Sequence, residues 1–249
     1  MTLKARLAAG EALLGTFQKT PSPIVTEVLA LAGLDLVCLD AEHSPFDRLH
    51  VDACCMAARA GGLPVLVRPQ TAAPEHILSA LDCGATGVLL PHIRSVAEAE
   101  AAVRACHYGR GGRGYAGSSR AAGYGGRAIA DHRAASAATT VVVAQIEDIE
   151  AVEVVDAIAR VAGLDALFVG RIDLTVAMGL ANPANPAVVR HVERICATGR
   201  AAGVPVGMFV GDLAEVPRWR EAGATLFLLG SDHGFLLSGA RELRRAAGF

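Results

Sequence analysis

The sequence predicts a (β/α)8 TIM barrel, one α/β domain spanning residues 1–249. Three observations carry that expectation. Short apolar runs rich in Val and Leu recur along the chain without polar alternation, as strands buried on both faces do. Amphipathic stretches lie between them, and several close on a glycine one short step before the next run, at Gly33, Gly62, Gly84, Gly163, Gly203 and Gly223. The length of 249 residues is close to the roughly 250 typical of such barrels. The rival is an open doubly wound sheet, but no GxGxxG turn follows the first strand.

The strands are expected at 13–19 (LLGTFQK), 35–41 (DLVCLDA), 64–69 (PVLVRP), 86–91 (TGVLLP), 140–147, 165–170 (DALFVG), 204–210 (VPVGMFV) and 224–230 (ATLFLLG). Between the first two, "SPIVTEVLALAG" offers a Ser cap, a Pro in the first turn and a closing Gly33. "DIEAVEVVDAIARVAG" begins acidic and ends on Arg160 and Gly163, in keeping with the helix dipole. A last helix is expected at about 235–246. Residues 109–139 are irregular, rich in Gly, Arg and Ser and poor in apolar residues. A loop this long in a compact domain is functional or disordered, and its path decides whether it covers the active face.

Composition narrows the function. The formal net charge is −2 with no basic block, which argues against nucleic acid as a partner. No apolar run reaches the ~18 residues of a membrane span, and no leader-like start is present, so a soluble cytoplasmic protein is expected. Cys38, Cys54, Cys55, Cys83, Cys106 and Cys196 form no CxxC pair or zinc ladder and read as small buried hydrophobes. With only 19% charged residues and abundant Gly and Ala, the domain is suited to burying further surface in an oligomer.

Catalytic groups of such barrels sit at the C-terminal ends of the strands. In this chain those ends carry Gln18-Lys19, Asp40-Ala41-Glu42-His43, Arg68, His92, Gln145-Ile146-Glu147, Gly170-Arg171-Ile172-Asp173 and Ser231-Asp232, while the strand bodies are apolar. Glu147 and Asp173, on consecutive strands, can share a hard divalent ion, or each can cap the helix that follows. Arg68 needs an anionic partner: a substrate carboxylate, an enolate oxygen, or a neighbouring Asp or Glu. His43 is the acid–base candidate, with Asp40 placed to orient its ring. Glu42 is undecided between the surface and a supporting role, and His92 is a rim residue of undecided role. His50, His76, His107, His132 and His191 read as solvated or packed. The chain has only two lysines, Lys4 in the first helix and Lys19. Lys19 is therefore the sole Schiff-base candidate, and a metal Lewis acid would make a Schiff base unnecessary.

"LDAEHSPFD", "VLVRPQ", "LDCGATGVLLPHIRSVAEA", "YGRGGRGYAG", "VAQIED" and "LFVGRIDLTVAMGL" together, in order and over nearly the whole chain, resemble the HpcH/HpaI aldolase family. The resemblance implies a class II pyruvate aldolase on a barrel of the phosphoenolpyruvate/pyruvate superfamily. It implies that Glu147 and Asp173 bind a divalent cation (Mg²⁺, Mn²⁺ or Co²⁺), which also takes the carboxylate and keto oxygens of pyruvate. It implies that Arg68 stabilises the enolate, and that His43 with Asp40 handles the proton. Asp82 in "LDCG" would approach a neighbouring subunit's site, and "FLLSGARELRRAAGF" would be a helix exchanged between subunits of a homo-hexamer built as a dimer of trimers. Gln145 joins the substrate contacts. Two departures bear on the aldehyde. The family usually carries Gly-Pro-x-Asp-Leu where Gly170-Arg171-Ile172-Asp173-Leu174 stands, and usually a tryptophan where Phe17 stands. Arg171 would then hold a second substrate carboxylate or turn outward into a salt bridge.

The leading expectation is a metal-dependent aldolase acting on 2-oxo-4-hydroxy acids through pyruvate or hydroxypyruvate and an aldehyde. An oxaloacetate-type decarboxylase and an acyl-CoA lyase share the enolate chemistry. The lyase would need a nucleotide groove, for which only the arginines of 110–133 stand out. A non-catalytic barrel is disfavoured by the coincidence of Asp40, His43, Arg68, Glu147 and Asp173.

Overall fold

Eight parallel strands, Leu13–Gln18 (β1), Leu36–Asp40 (β2), Val65–Arg68 (β3), Gly87–Leu90 (β4), Val141–Ile146 (β5), Ala166–Val169 (β6), Val206–Val210 (β7) and Ala224–Ser231 (β8), close into a barrel in chain order. The coordinates are a computed structural model describing residues 1–249. Every expected strand is present, within a residue or two at each end. The helices are Leu3–Ala8 (α1), Pro23–Ala30 (α2), Arg48–Ala60 (α3), Pro74–Asp82 (α4), Val96–Cys106 (α5), Ile129–Thr139 (α6), Ile149–Glu153 (α7), Val155–Ile158 (α8), Arg171–Ala177 (α9), Pro186–Ala202 (α10), Val216–Ala222 (α11) and Asp232–Ala246 (α12).

Period-two alternation divides the core into two clusters. Leu13, Phe17, Leu36, Cys38, Leu66, Leu89, Val141, Val143, Ala166, Phe168, Leu226 and Leu228 fill the barrel interior. Leu3 and Leu7 of α1 join them and plug the end where the strands begin. The residues between, such as Val37, Leu39, Val65, Val67, Val142 and Ala144, face the helices. The inward parity continues past the apolar layers: 36, 38 and 40 on β2, 66 and 68 on β3, 141, 143 and 145 on β5. Asp40, Arg68 and Gln145 therefore cap the interior as its polar top layer, and all three are buried. The six cysteines are free and buried, as expected.

Three expectations change. The acidic helix after β5 breaks into α7 and α8 at Val154, whose φ −110°, ψ 13° is not helical. The irregular segment is helical over its second part, α6, which buries only His132 and so shows little apolar periodicity. Its first part lies away from the active face. Arg113 pairs with Asp82 at the end of α4, and Arg120 forks onto Asp52 of α3 at 3.0 and 2.6 Å. Tyr108 meets His132 at 3.1 Å. Residues of this segment share a groove with Pro64, Val65 and Thr86, at the start of β3 and just ahead of β4. They therefore pack at the opposite end from the strand C-termini.

The last helix starts three residues earlier than expected and buries only Asp232. Phe235, Leu236, Leu237 and Leu243 on α12 are exposed, as are Ile24 and Val28 on α2. No helix is long and apolar enough to cross a membrane.

Candidate active site

The in-register pairing of Asp40 on β2 with Arg68 on β3 starts the site. The Arg68 Nε donates to Asp40 Oδ1 at 3.0 Å, and its Nη2 lies 2.9 Å from Oδ2. Burial alone would raise the Asp40 carboxyl; the two Arg68 contacts win and hold it below the ordinary aspartate range. The guanidinium also stacks over Phe17, 4.7 Å from the ring centroid. Phe17 in turn packs against Phe168 and Phe209, at 6.4 and 6.1 Å between centroids.

Asp40 does not orient the His43 ring. Its Oδ1 accepts the His43 backbone N–H at 3.2 Å and so fixes the turn after β2. The ring, about half exposed, has its Nε2 3.6 Å from Glu42 Oε2. The chain leaves β2 at Asp40, and the bend at residues 42–44, held by that backbone bond, sets the imidazole against Glu42 at the wall of the cavity instead. In the same bend, Glu42 turns toward Arg68 and His92. Its Oε2 lies 3.2 Å from Arg68 Nε and its Oε1 3.6 Å from His92 Nε2. Burial pushes the Glu42 carboxyl up against the pull of Arg68.

Glu147, one residue past β5, is almost fully buried. It accepts from the Gln145 amide and from the His92 backbone N–H, the latter at 2.8 Å. His92 reaches that bond in the left-handed region, φ 53°, a conformation that costs a non-glycine residue energy and often marks a working site. Its ring Nδ1 is 3.0 Å from Asp148 Oδ2 and 3.4 Å from Glu147 Oε1. Burial lowers and these carboxylates raise the imidazole, with a net rise. Desolvation lifts the Glu147 carboxyl to about 7. A side chain at Gly170 would collide with Glu147, so the small residue there makes room for the carboxylate.

These groups form two adjoining parts. Carboxylate and imidazole atoms of Glu42, His92 and Glu147 lie within 4.8 Å of one another, an arrangement able to hold a cation. Beside them, a cavity of about 260 Å³ is lined by Phe17, Lys19, His43, Arg68, Gln145, Gly170, Asp173 and Ser231, among others. Asp173, in the first turn of α9, is half-buried there and adds its charge to the environment of Glu147.

Arg171 and Asp82 make other contacts within this chain. Arg171 sits at the cavity wall, but its guanidinium forks onto Glu215 at 2.8 and 2.7 Å and rests 5.7 Å from the Trp219 ring. It turns outward, as one of its two alternatives had it. Asp82 pairs with Arg113 at the far end of the barrel and is no part of this chain's mouth. Sequence reasoning passed over Asp148 and left Glu42 and His92 undecided. Glu42 lies in the bend after β2, which strand periodicity does not reach, and the positive φ of His92 has no signal in a lone sequence.

A family model described as HpcH/HpaI aldolase/citrate lyase matches residues 13–238. A 5-keto-4-deoxy-D-glucarate aldolase of Salmonella arizonae is 37% identical over 242 residues, 96% of this chain and 94% of that one. Among solved structures, an HpcH/HpaI aldolase/citrate lyase family protein from Burkholderia cenocepacia J2315 superposes with a TM-score of 0.94 at 36% identity, covering 98% of both chains. An HpcH/HpaI aldolase from Desulfitobacterium hafniense DCB-2 gives a TM-score of 0.92 at 29% identity, covering 100% of this chain and 98% of that one.

The buried Glu147 makes the metal-free protein pH-sensitive with a defined sign. Its folded pKa is raised above the unfolded value, so the fold binds the extra proton, and stability declines as pH rises from the unfolded value to about 7. The penalty at higher pH is about 3 kcal/mol at most. Glu147→Gln, melted without metal between pH 5 and 8, should gain stability relative to the parent as pH rises. A difference that stays flat across that range would contradict the burial argument.

Proposed function

Because the chain belongs to the HpcH/HpaI aldolase/citrate lyase family and is thereby a carbon–carbon lyase, we propose that it is a divalent-metal-dependent, class II aldolase. It would cleave or form 2-oxo-4-hydroxy acids through a pyruvate or hydroxypyruvate enolate and an aldehyde. One observation carries the reading: a buried arginine, Arg68, held by Asp40, shares one small cavity with Asp173 and with Gln145, whose amide donates to the Glu147 carboxylate. A cavity of about 260 Å³ suits a short acid.

The residues fit a hard divalent ion. Glu147 is almost fully buried with only the His92 imidazole near its charge, and the neighbouring Gln145 Oε1 is buried without a hydrogen-bond partner. Oxygen donors of this kind suit Mg²⁺, Mn²⁺ or Co²⁺. We assign the ion to Glu147 and Asp173, with Glu42 adding negative charge and His92 holding Glu147 through its backbone. When bound, the ion would supply Lewis-acid polarisation of the substrate keto oxygen.

The chain's own residues do the rest. In the cleavage direction, His43 takes the proton of the 4-hydroxyl, and the bond between C3 and C4 breaks. C4 leaves as the aldehyde, and the electron pair moves onto the keto oxygen as an enolate. Arg68, pre-positioned by Asp40, faces that negative charge. A proton returned to C3 gives pyruvate. Glu42, 3.6 Å from the His43 ring, steadies the imidazole when it is charged.

The decisive assay follows pyruvate release from a 2-oxo-4-hydroxy acid. EDTA should abolish it and Mg²⁺, Mn²⁺ or Co²⁺ should restore it. Activity that survives complete metal removal sinks the class II reading, and borohydride trapping of pyruvate on Lys19 would replace it with a Schiff-base route.

The exposed apolar side chains of Phe235, Leu236, Leu237 and Leu243 on α12, and of Ile24 and Val28 on α2, support a homo-oligomer in which α12 crosses to a second copy. We take the assembly to be a hexamer, a dimer of trimers, that brings the part of the barrel holding the Asp82–Arg113 pair beside a neighbour's site. Light scattering should return a mass six times that of the 25.6 kDa chain; a monomer at micromolar concentration would contradict it.

A further inference from the structure

Lys19 is left without a role by the chemistry above, yet the fold holds it in place with some care. We propose that Lys19 is the specificity-determining residue for the aldehyde, taking a carboxylate at the far end of that partner. The inference rests on the aldolase reading.

Three observations carry it. First, the backbone around Lys19 is pinned. Asp232, almost fully buried at the start of α12, accepts the N–H groups of Lys19 and Thr20 at 2.7 and 2.9 Å. Burial would raise its carboxyl; those bonds from Thr20 and Lys19 hold it below the ordinary range. From the other side, the buried Gln18 amide donates to the Thr20 and Ser22 carbonyls at 2.8 and 3.0 Å. A buried carboxylate and a buried amide are thus spent on one turn, the one that carries Lys19.

Second, the Lys19 ammonium faces the cavity with its bonding capacity unused. It lines the same space as Arg68 and Asp173 and is one-third exposed. Its nearest carboxylate, Asp40 Oδ2, is 3.5 Å away, beyond a good hydrogen bond, and already has Arg68 at 2.9 Å. An ammonium offers three donors. The other wall cations are committed: Arg68 to Asp40 and Glu42, Arg171 to Glu215. Lys19 is the one cation lining the cavity that can take a new anion without breaking a short ion pair.

Third, the ring order places it at the right end. β1 and β5 are four steps apart in a closed ring of eight strands, so Lys19 stands across the mouth from Glu147. The cavity runs on from Arg68 and Asp173 to Phe209, Gly230, Ser231 and Lys19, so a short 2-oxo acid held at Glu147, Asp173 and Arg68 leaves the side toward β1 and β8 free for the aldehyde. An aldehyde meeting it there has Lys19 and Ser231 at its outer end. A carboxylate on that aldehyde gains a charge-assisted hydrogen bond; a neutral chain of the same length gains nothing.

The test compares Lys19→Met and Lys19→Arg with the parent, with Mn²⁺ and pyruvate present. Glyoxylate and succinic semialdehyde serve as anionic acceptors, glycolaldehyde and butanal as neutral ones. Exchange of the pyruvate methyl protons with deuterium, which needs no aldehyde, is followed alongside. Lys19→Met should lose about tenfold or more in kcat/KM with the anionic acceptors, mainly through KM. It should change less than about twofold with the neutral ones and in proton exchange, and Lys19→Arg should recover most of the loss. Equal changes for anionic and neutral acceptors, or none for either, overturn the assignment. Absence of metal-dependent exchange in the parent protein defeats the aldolase reading itself, and the assignment with it.

Discussion

The ion pair between Asp40 and Arg68 is the constraint on which the mouth of the barrel depends. Both side chains are buried, and taking them out of water costs several kcal/mol each unless the pairing is good. The sheet supplies that pairing: the two residues are register partners on neighbouring strands, so their inward direction and spacing are set by backbone hydrogen bonds. Much else leans on the pair. Asp40 holds the turn carrying His43, stands near the ammonium of Lys19 and fixes the plane of a guanidinium that lies on Phe17 and reaches Glu42. A buried pair of this kind is a weak source of stability. It is better understood as a way to hold a cation rigidly where an anion is to form.

Around it the chemistry is divided by position on the ring. β5 and β6 bring the carboxylates and the glycine that makes space for Glu147. β2 and β3 bring the arginine and the imidazole. β1 and β8 bring the lysine, pinned by the first residue of α12. That last link ties the cavity to a helix whose exposed apolar side chains this chain leaves uncovered. Because these groups come from different strands, a change at one strand end leaves the others in place.

Most of the barrel was legible in the sequence because strands buried on both faces leave long uninterrupted apolar runs, and the glycines between them mark helix ends. The strand-end residues were legible for the same reason: an ionisable group after such a run has few places to go. Counting by twos from Leu36 brings Cys38 and Asp40 inward, but the strand ends there, and the bend that follows places Glu42 and His43. Arg171 could not be placed that way, since its partner Glu215 lies 44 residues on in another element. The segment at 109–139 hid α6 because that helix buries a single histidine. It hid the path of the rest because that path is set by distant ion pairs, Arg113 to Asp82 and Arg120 to Asp52.

The central claim is that Glu147 and Asp173 seat a divalent ion opposite an arginine already aimed at the substrate. A crystal structure with Mn²⁺ and pyruvate tests it most directly. The account requires the ion on the Glu147 and Asp173 carboxylates and the Arg68 guanidinium within hydrogen-bond distance of the pyruvate keto oxygen, its contact with Asp40 intact. An ion held instead by Glu42 and His92 with Asp173 turned away, or pyruvate bound beyond the reach of Arg68, would contradict it.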